Sequence, residues 1–269
     1  MQEGLHLIQE RPREEQRTAL LLNNLGEVAS TRGNIAEANS YYQKALQLAQ
    51  QIGDWETASM MLQNLGVNAE RCGEYAKASS FYQKGLQYAE RMDYKLRICA
   101  IKMNIGMLEF KKNRYAKARQ LYQESLELAR QIRHPAKISS NLQNLGMLER
   151  KLHNYNEATS YLRESLKIAY EINHTWLISE TLCEWGMLYA DQRMIQPAQE
   201  AFDRALRKAK EIEAKELIAI ATFGLAQVTL LGNDKRGALK FAKESQRLFQ
   251  EMGNEKYKEV ASWLQEYLP

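Results

Sequence analysis

The chain has 269 residues, of which 45% are hydrophobic and 26% charged, ordinary proportions for a folded protein with a substantial core. A net charge of +4 is too mild to suggest nucleic-acid binding by itself. No apolar run approaches the roughly 18 residues of a membrane helix, and the N-terminus lacks an apolar signal-peptide core. Cys72, Cys99 and Cys183 are far apart and form no CxxC pair, which argues against a disulfide framework or a zinc site. They read as small, partly buried residues in a reducing compartment, so the expected location is the cytoplasm.

At the start of the chain, Gly4-Leu5-His6-Leu7-Ile8 resembles Ala45-Leu46-Gln47-Leu48-Ala49, the tail of a second helix in a repeat. Residues 1–15 are therefore expected to be such a tail or an N-terminal cap, and the sequence to be a fragment of a longer protein. From there a motif returns every 40 residues, six times, without insertion or deletion. Asn24-Leu25-Gly26 recurs as Asn64-Leu65-Gly66, Asn104-Ile105-Gly106 and Asn144-Leu145-Gly146, loosely as Glu184-Trp185-Gly186, and decays to Gly224-Leu225-Ala226. Twelve residues after each glycine position stands an alanine, at Ala38, Ala78, Ala118, Ala158, Ala198 and Ala238. A fixed period in this range marks a solenoid whose units bury their apolar faces against neighbours. One stack is expected, with units near 16–53, 54–93, 94–133, 134–173, 174–213 and 214–253.

The second unit shows the internal plan. Trp55, Ala58, Leu62, Leu65, Ala69 and Cys72 are spaced three and four apart, an apolar stripe along one helix. Gly73-Glu74 breaks the period, and a second helix follows with Tyr75, Ala78, Phe81, Tyr82, Gly85, Leu86 and Ala89. That helix ends at Met92-Asp93, where the first unit has Gly53 and the last Gly253. Gly66 and Ala78 leave no side chain to hold the two helices apart. Gly85, Ser125, Ser165 and Ser245 are expected to do the same where the second helix meets the next unit. Tyr42, Tyr82, Tyr122, Leu162 and Phe202 fill the space left over. After the last unit, Tyr257, Val260, Ala261, Leu264 and Leu268 share one side of a segment at 254–269, as a terminal capping helix would need.

The pattern of Leu-Gly in the first helix and Ala-x-x-x-aromatic in the second resembles the tetratricopeptide repeat. In the third unit the matching residues are Ile105-Gly106, Tyr115, Ala118, Tyr122 and Ser125. The standard unit has 34 residues and a proline closing the second helix. Here the unit has 40 and lacks that proline, which is similar to the long-repeat type of kinesin light chains and bacterial signalling sensors. The resemblance implies an all-α fold: a right-handed superhelical α-solenoid of six helix-turn-helix units plus the capping helix, with the first helices lining a concave groove.

By that resemblance, three columns point into the groove. One reads Asn24, Asn64, Asn104 and Asn144, then Glu184; the next Glu27, Val67, Met107, Met147 and Met187; the third Thr31, Arg71, Lys111, Lys151 and Asp191. Offsets of three and seven put each trio on one helix face. An amide both donates and accepts, so an asparagine ladder can pair with an extended peptide backbone, as groove asparagines do in peptide-binding family members. It can equally bond neighbouring helices. The methionines suit an apolar side chain of variable shape, and Arg71, Lys111, Lys151 and neighbouring Arg150 would attract acidic groups. Phe110 is a further candidate apolar anchor.

Catalytic and metal motifs are missing. No GxxxxGK[ST] or GxGxxG loop occurs, and His6, His134, His153 and His174 show no ligand spacing. No cofactor, metal or catalytic residue is expected. The expected function is a non-catalytic module that binds a protein or peptide with apolar anchors and acidic groups, as the sensor or adaptor part of a signalling protein. An oligomerisation scaffold is one alternative, since self-association would suit an open repeat edge. A small-molecule sensor domain of a bacterial signal-transduction ATPase or transcription regulator is the other. Neither a membrane nor nucleic acid is an expected partner.

Overall fold

The computed structural model describes the backbone of residues 2–267 and the side chains of residues 13–267. Its elements are α1 (Gln2–Thr31), α2 (Ile35–Gln51), α3 (Trp55–Arg71), α4 (Tyr75–Arg91), α5 (Lys95–Lys111), α6 (Tyr115–Gln131), α7 (Pro135–Lys151), α8 (Tyr155–Glu171), α9 (Thr175–Asp191), α10 (Ile195–Glu211), α11 (Lys215–Leu231), α12 (Lys235–Glu251) and α13 (Lys256–Tyr267). Among the described residues there is no strand. The chain forms two compact units, Met1–Leu108 and Glu109–Pro269, with the division inside α5. In the first, α1 packs on α2 and α3 on α4; in the second, α7 pairs with α8, α9 with α10 and α11 with α12, and α13 closes onto α12.

The helices owe their uniform length to how they stop. From α2 to α12 each has 17 residues, and the backbone has positive φ at 33, 53, 73 and every twentieth residue up to 253. There the amides turn back onto the last carbonyls: Gly33 N–H donates to Ser30 O (3.1 Å) and Asn34 N–H to Ala29 O (2.9 Å). The same pair of bonds recurs at each later helix end, a Schellman motif, so the 40-residue sequence period consists of two 20-residue backbone halves. Glycine fills this position at 33, 53, 73 and 253, but Arg133, Arg193 and Glu213 hold it against the steric cost of a Cβ. Glu213→Gly is expected to stabilise the fold by about 0.5–1 kcal/mol, with Arg133→Gly and Arg193→Gly adding independently. Urea unfolding followed at 222 nm checks this. A loss in all three variants would mean that the native side chains hold these turns by contact.

Helix starts are capped from the same turns. Asp54 Oδ1 accepts from Thr57 N–H (3.0 Å) and Asp234 Oδ1 from Gly237 N–H (2.9 Å). His134 and His174 use Nδ1 in the same way, accepting from Lys137 and Leu177 N–H at 3.4 Å. Those two histidines therefore have a structural task.

The repeat glycine makes room for a ring. A Cβ on Gly66 would lie 2.4 Å from the Tyr82 ring, one on Gly26 2.5 Å from Tyr42, and one on Gly186 2.7 Å from Phe202. Gly146 faces Leu162 in the same way. In the sixth repeat the glycine has become Ala226 and the partner sixteen residues on is Ala242, both fully buried in one cluster. The loss of bulk on one helix matches the gain on the other. Gly85 was expected at the junction with the next repeat; it also faces its own first helix, lying against Ser59 O and Leu62 as well as Ile101. Ser59, Ser139 and Ser179 use this closeness to donate to Gly85, Ser165 and Ala205 carbonyls at 2.7, 3.0 and 2.9 Å.

Some expectations land differently. Cys72 is exposed while Cys99 and Cys183 are buried. Trp55 lies at the surface, its ring 5.1 Å from that of Tyr88. α1 runs unbroken through position 16, although most of residues 1–15 fall outside the described side chains. On α13, Val260 is buried and Tyr257, Trp263 and Leu264 pack on the cluster around Phe223 and Phe249; Leu268 lies outside the described residues.

Candidate interaction face

In the first unit Asn64 of the asparagine column is engaged between helices. Asn64 Nδ2 donates to Asn23 Oδ1 (2.9 Å), and Asn23 Nδ2 donates to Glu27 Oε1 (3.0 Å). Ser30 Oγ donates to Asn68 Oδ1 (2.9 Å), Asn68 donates on to Asn39 (2.9 Å), and Arg71 donates to Ser30 Oγ (3.1 Å). Asn24 is exposed, whereas Asn64 and Asn104 are half-buried. Burial pushes the Tyr42 phenol up to about 12, with Glu27 adding to the effect. Tyr82 is raised further by burial and by Glu70, whose carboxylate accepts its hydroxyl proton at 3.0 Å. Arg97 donates to Gln63 (2.9 Å) and is lowered by burial.

In the second unit the first helices of each pair, α7, α9 and α11, carry a different set. Asn144 is only 8% exposed, Met147 and Met187 are half-buried, and Met187 packs on the core cluster of Leu182, Phe202 and Leu225. Lys111 and Lys151 are exposed, and Phe110 is half-buried with its ring 5.6 Å from Tyr115. Arg150 is held within the face: its guanidinium lies 2.7 Å from Asp191 Oδ2 and 3.4 Å from Glu184 Oε2. Burial alone would lower its pKa, and Glu184 and Asp191 outweigh that. A second ion pair joins half-buried Arg119 to buried Glu149 at 2.7 Å.

Sequence reading did not single out Glu180. It is half-buried on α9, accepts a hydrogen bond from Gln143 on α7, and is pushed up to about 7 by desolvation, Glu184 and Glu216, against Lys256 and Gln143. The nearby Cys183 thiol is raised by burial, then by Glu184 and Glu180, which leaves it protonated and unreactive. The signal available in the sequence was the run Glu180, Glu184 on an otherwise apolar helix.

Clefts of about 410, 270 and 500 Å³ lie between α2, α3 and α4, between α8, α9 and α10, and between α10, α11 and α12. None is lined by the asparagine, methionine or basic columns. Trp185, whose buried Nε1 has no hydrogen-bond partner, borders the second with Tyr189 and Arg204. Among the described residues no three His, Cys, Asp or Glu side chains are placed to hold a metal, and no helix is long and apolar enough to cross a membrane.

Helix pairs repeated at a fixed 40-residue step, with Gly26, Gly66, Gly146 and Gly186 each facing a large side chain sixteen positions on, define an all-α helical-repeat solenoid. The chain belongs to the tetratricopeptide repeat family, whose profile matches residues 17–91 and 97–171. No curated protein sequence matches it significantly. Among solved structures, the apo form of RapI is similar with a TM-score of 0.70 at 19% identity, over 88% of this chain and 84% of that one. The Rap conjugation gene regulator of plasmid pLS20, in complex with the Phr* peptide, gives 0.73 at 14% identity, over 94% and 66%. Aspartyl phosphate phosphatase F from Bacillus subtilis gives 0.72 at 12%, over 89% and 62%. At these identities the likeness is one of fold.

Proposed function

We propose that the chain is a non-catalytic peptide-binding module, the sensor or adaptor part of a larger cytoplasmic signalling protein, and that the α7–α9–α11 face is its recognition surface. The observation that carries this is the pair Met147 and Met187, half-buried at equivalent repeat positions of α7 and α9, with exposed Lys151 and Asp191 four residues on. A flexible apolar floor with a charged rim suits an extended peptide whose side chains alternate. The fold likeness to a Rap regulator solved with a bound peptide is consistent with this reading. The asparagine column contributes less than its regularity implies: Asn64 is committed to Asn23 and Asn144 is nearly buried, so apolar contact would supply most of the affinity.

An array of short peptides probed with the full chain and with Met147→Glu/Met187→Glu tests this. The wild type is expected to retain a defined subset that the variant loses by about tenfold or more. Equal retention by both would move recognition away from this face, and no retained peptide would remove the reading.

Self-association is a second reading, and α1 supports it. Leu21 is 63% exposed, with Leu25 and Val28 open beside it, whereas the equivalent Met61, Leu65 and Asn68 are buried. Leu21→Glu would abolish any concentration-dependent light scattering that rests on this face.

A further inference from the structure

The cleft between α10, α11 and α12, about 500 Å³, differs in chemistry from the clefts of the other repeats. Half-buried Leu206, Ile218 and Phe241 line it and also pack on the core clusters. Beside them stand Lys210, Lys240 and Lys243, all exposed and all without an ion pair or hydrogen bond among the described residues. The neighbouring carboxylates are engaged elsewhere. Glu244 lies 2.7 Å from Arg247, which also holds Glu251, and Glu211 lies 2.9 Å from Lys208. Uncompensated ammonium groups therefore border an apolar trough, a setting that attracts an anion.

A second, independent feature is Thr222, on the α11 wall of the cleft. It is only 4% exposed, and its hydroxyl makes no hydrogen bond among the described residues. Thr18 and Thr159, also within helices, donate to the carbonyl four residues back at 2.8 Å. A largely buried hydroxyl left without a partner is costly, so this one favours a ligand that brings an acceptor. The repeat register shows how particular the set is. Forty residues earlier, Leu182 stands for Thr222, Tyr170 for Lys210, Glu200 for Lys240 and Asp203 for Lys243. At the α2–α3–α4 cleft the same positions hold Leu62, Gln50, Ser80 and Gln83. A requirement of the fold would recur with the period, whereas this hydroxyl and cationic rim occur at the last of the three clefts.

We propose that this cleft binds a small organic carboxylate with an apolar body. Leu206, Ile218 and Phe241 take the apolar part, the Thr222 hydroxyl donates to the carboxylate, and the lysines balance its charge. A volume of about 500 Å³ is that of a small-ligand site. A docked protein would need roughly 800 Å² on each partner, and the adjacent repeat, with Glu200 and Asp203, does not continue the cationic rim. The inference goes beyond the peptide-binding reading. Thr222 stands about 140° round the helix from Gln227, the repeat equivalent of Met187, so the two surfaces are distinct.

The test follows the isoleucine δ1-methyl signals of the full chain, labelled with ¹³C, with Ile218→Val assigning the reporter. Phenylbutyrate is the probe; phenylbutyramide, acetate and inorganic phosphate are the controls at equal ionic strength. The Ile218 signal is expected to shift saturably with phenylbutyrate, about tenfold more weakly with the amide, and not with acetate or phosphate. Lys240→Gln/Lys243→Gln should weaken phenylbutyrate binding about fivefold. Thr222→Val, which keeps the shape and loses the hydroxyl, should weaken it about threefold while the circular dichroism stays unchanged. Thr222→Ser keeps the hydroxyl and should bind like the wild type; a loss equal to that of Thr222→Val overturns the assignment. No saturable shift at Ile218, equal affinity for acid and amide, or unaltered affinity in the lysine and valine variants overturns the proposal. Saturation by acetate or phosphate as strong as by phenylbutyrate also overturns it, since the lysines would then act as a plain anion patch.

Discussion

Phe202→Ala is expected to destabilise the second unit by about 3–5 kcal/mol, the upper range for losing a buried ring. The reason is the pair of glycines on either side. A Cβ built on Gly186 or Gly224 would fall 2.7 or 2.2 Å from the Phe202 ring, so neither helix has a side chain to move into the void. The ring is fully buried among Leu182, Cys183, Leu225 and Val228, which tie α9, α10 and α11 together. Thermal and urea unfolding by circular dichroism would show the melting temperature falling by roughly 10 °C. Hydrogen exchange should report the loss mainly in α9 to α11, since stacked repeats couple chiefly to their neighbours. Phe202→Leu is the control, because Leu162 already occupies this column opposite Gly146; about 1–1.5 kcal/mol is expected there. An alanine variant within about 1 kcal/mol of the wild type would mean that the helices collapse onto the gap.

Glu180→Gln is expected to stabilise the protein in mild alkali and to be neutral in mild acid. The Glu180 carboxyl is raised from its ordinary 4.5 to about 7 by desolvation and then by Glu184 and Glu216. Over that interval the folded chain holds a proton that the unfolded chain releases. Stability therefore falls as pH climbs from about 4.5 to about 7, and the deficit is complete above that. At about 1.4 kcal/mol per pH unit the deficit has an upper bound of roughly 3 kcal/mol, less because water still reaches part of the residue. A gain of about 2 kcal/mol at pH 8 that vanishes near pH 5 is the expected signature. Urea midpoints measured across that range decide it: parallel curves for variant and wild type would show that Glu180 titrates normally.

The two predictions draw on different kinds of information. Gly186 and Phe202 stand in columns that any reader of the 40-residue period would mark, and the exchange of Gly and aromatic for Ala226 and Ala242 is visible in the letters. The helix ends were likewise legible where the left-handed residue is Gly53, Gly73 or Gly253, and hidden where it is Arg193 or Glu213, whose identity gives no hint of positive φ. Peptide recognition was read from Asn24, Asn64, Asn104 and Asn144 as equals, yet the first is exposed, the last nearly buried, and Asn64 bonded to Asn23.

Glu180 was passed over because its character comes from Gln143, Glu216 and Lys256, which lie on other helices. Arg150 looked like a free attractor of acidic groups until Glu184 and Asp191 were seen beside it. Helix periods, caps and the small–large columns depend on neighbours within a helix or one hairpin, and a repeating sequence states those directly. The state of a polar side chain on the interaction face depends on how far one hairpin is offset against the next. That offset is chosen by the packing of whole helices, so it appears only in the tertiary structure.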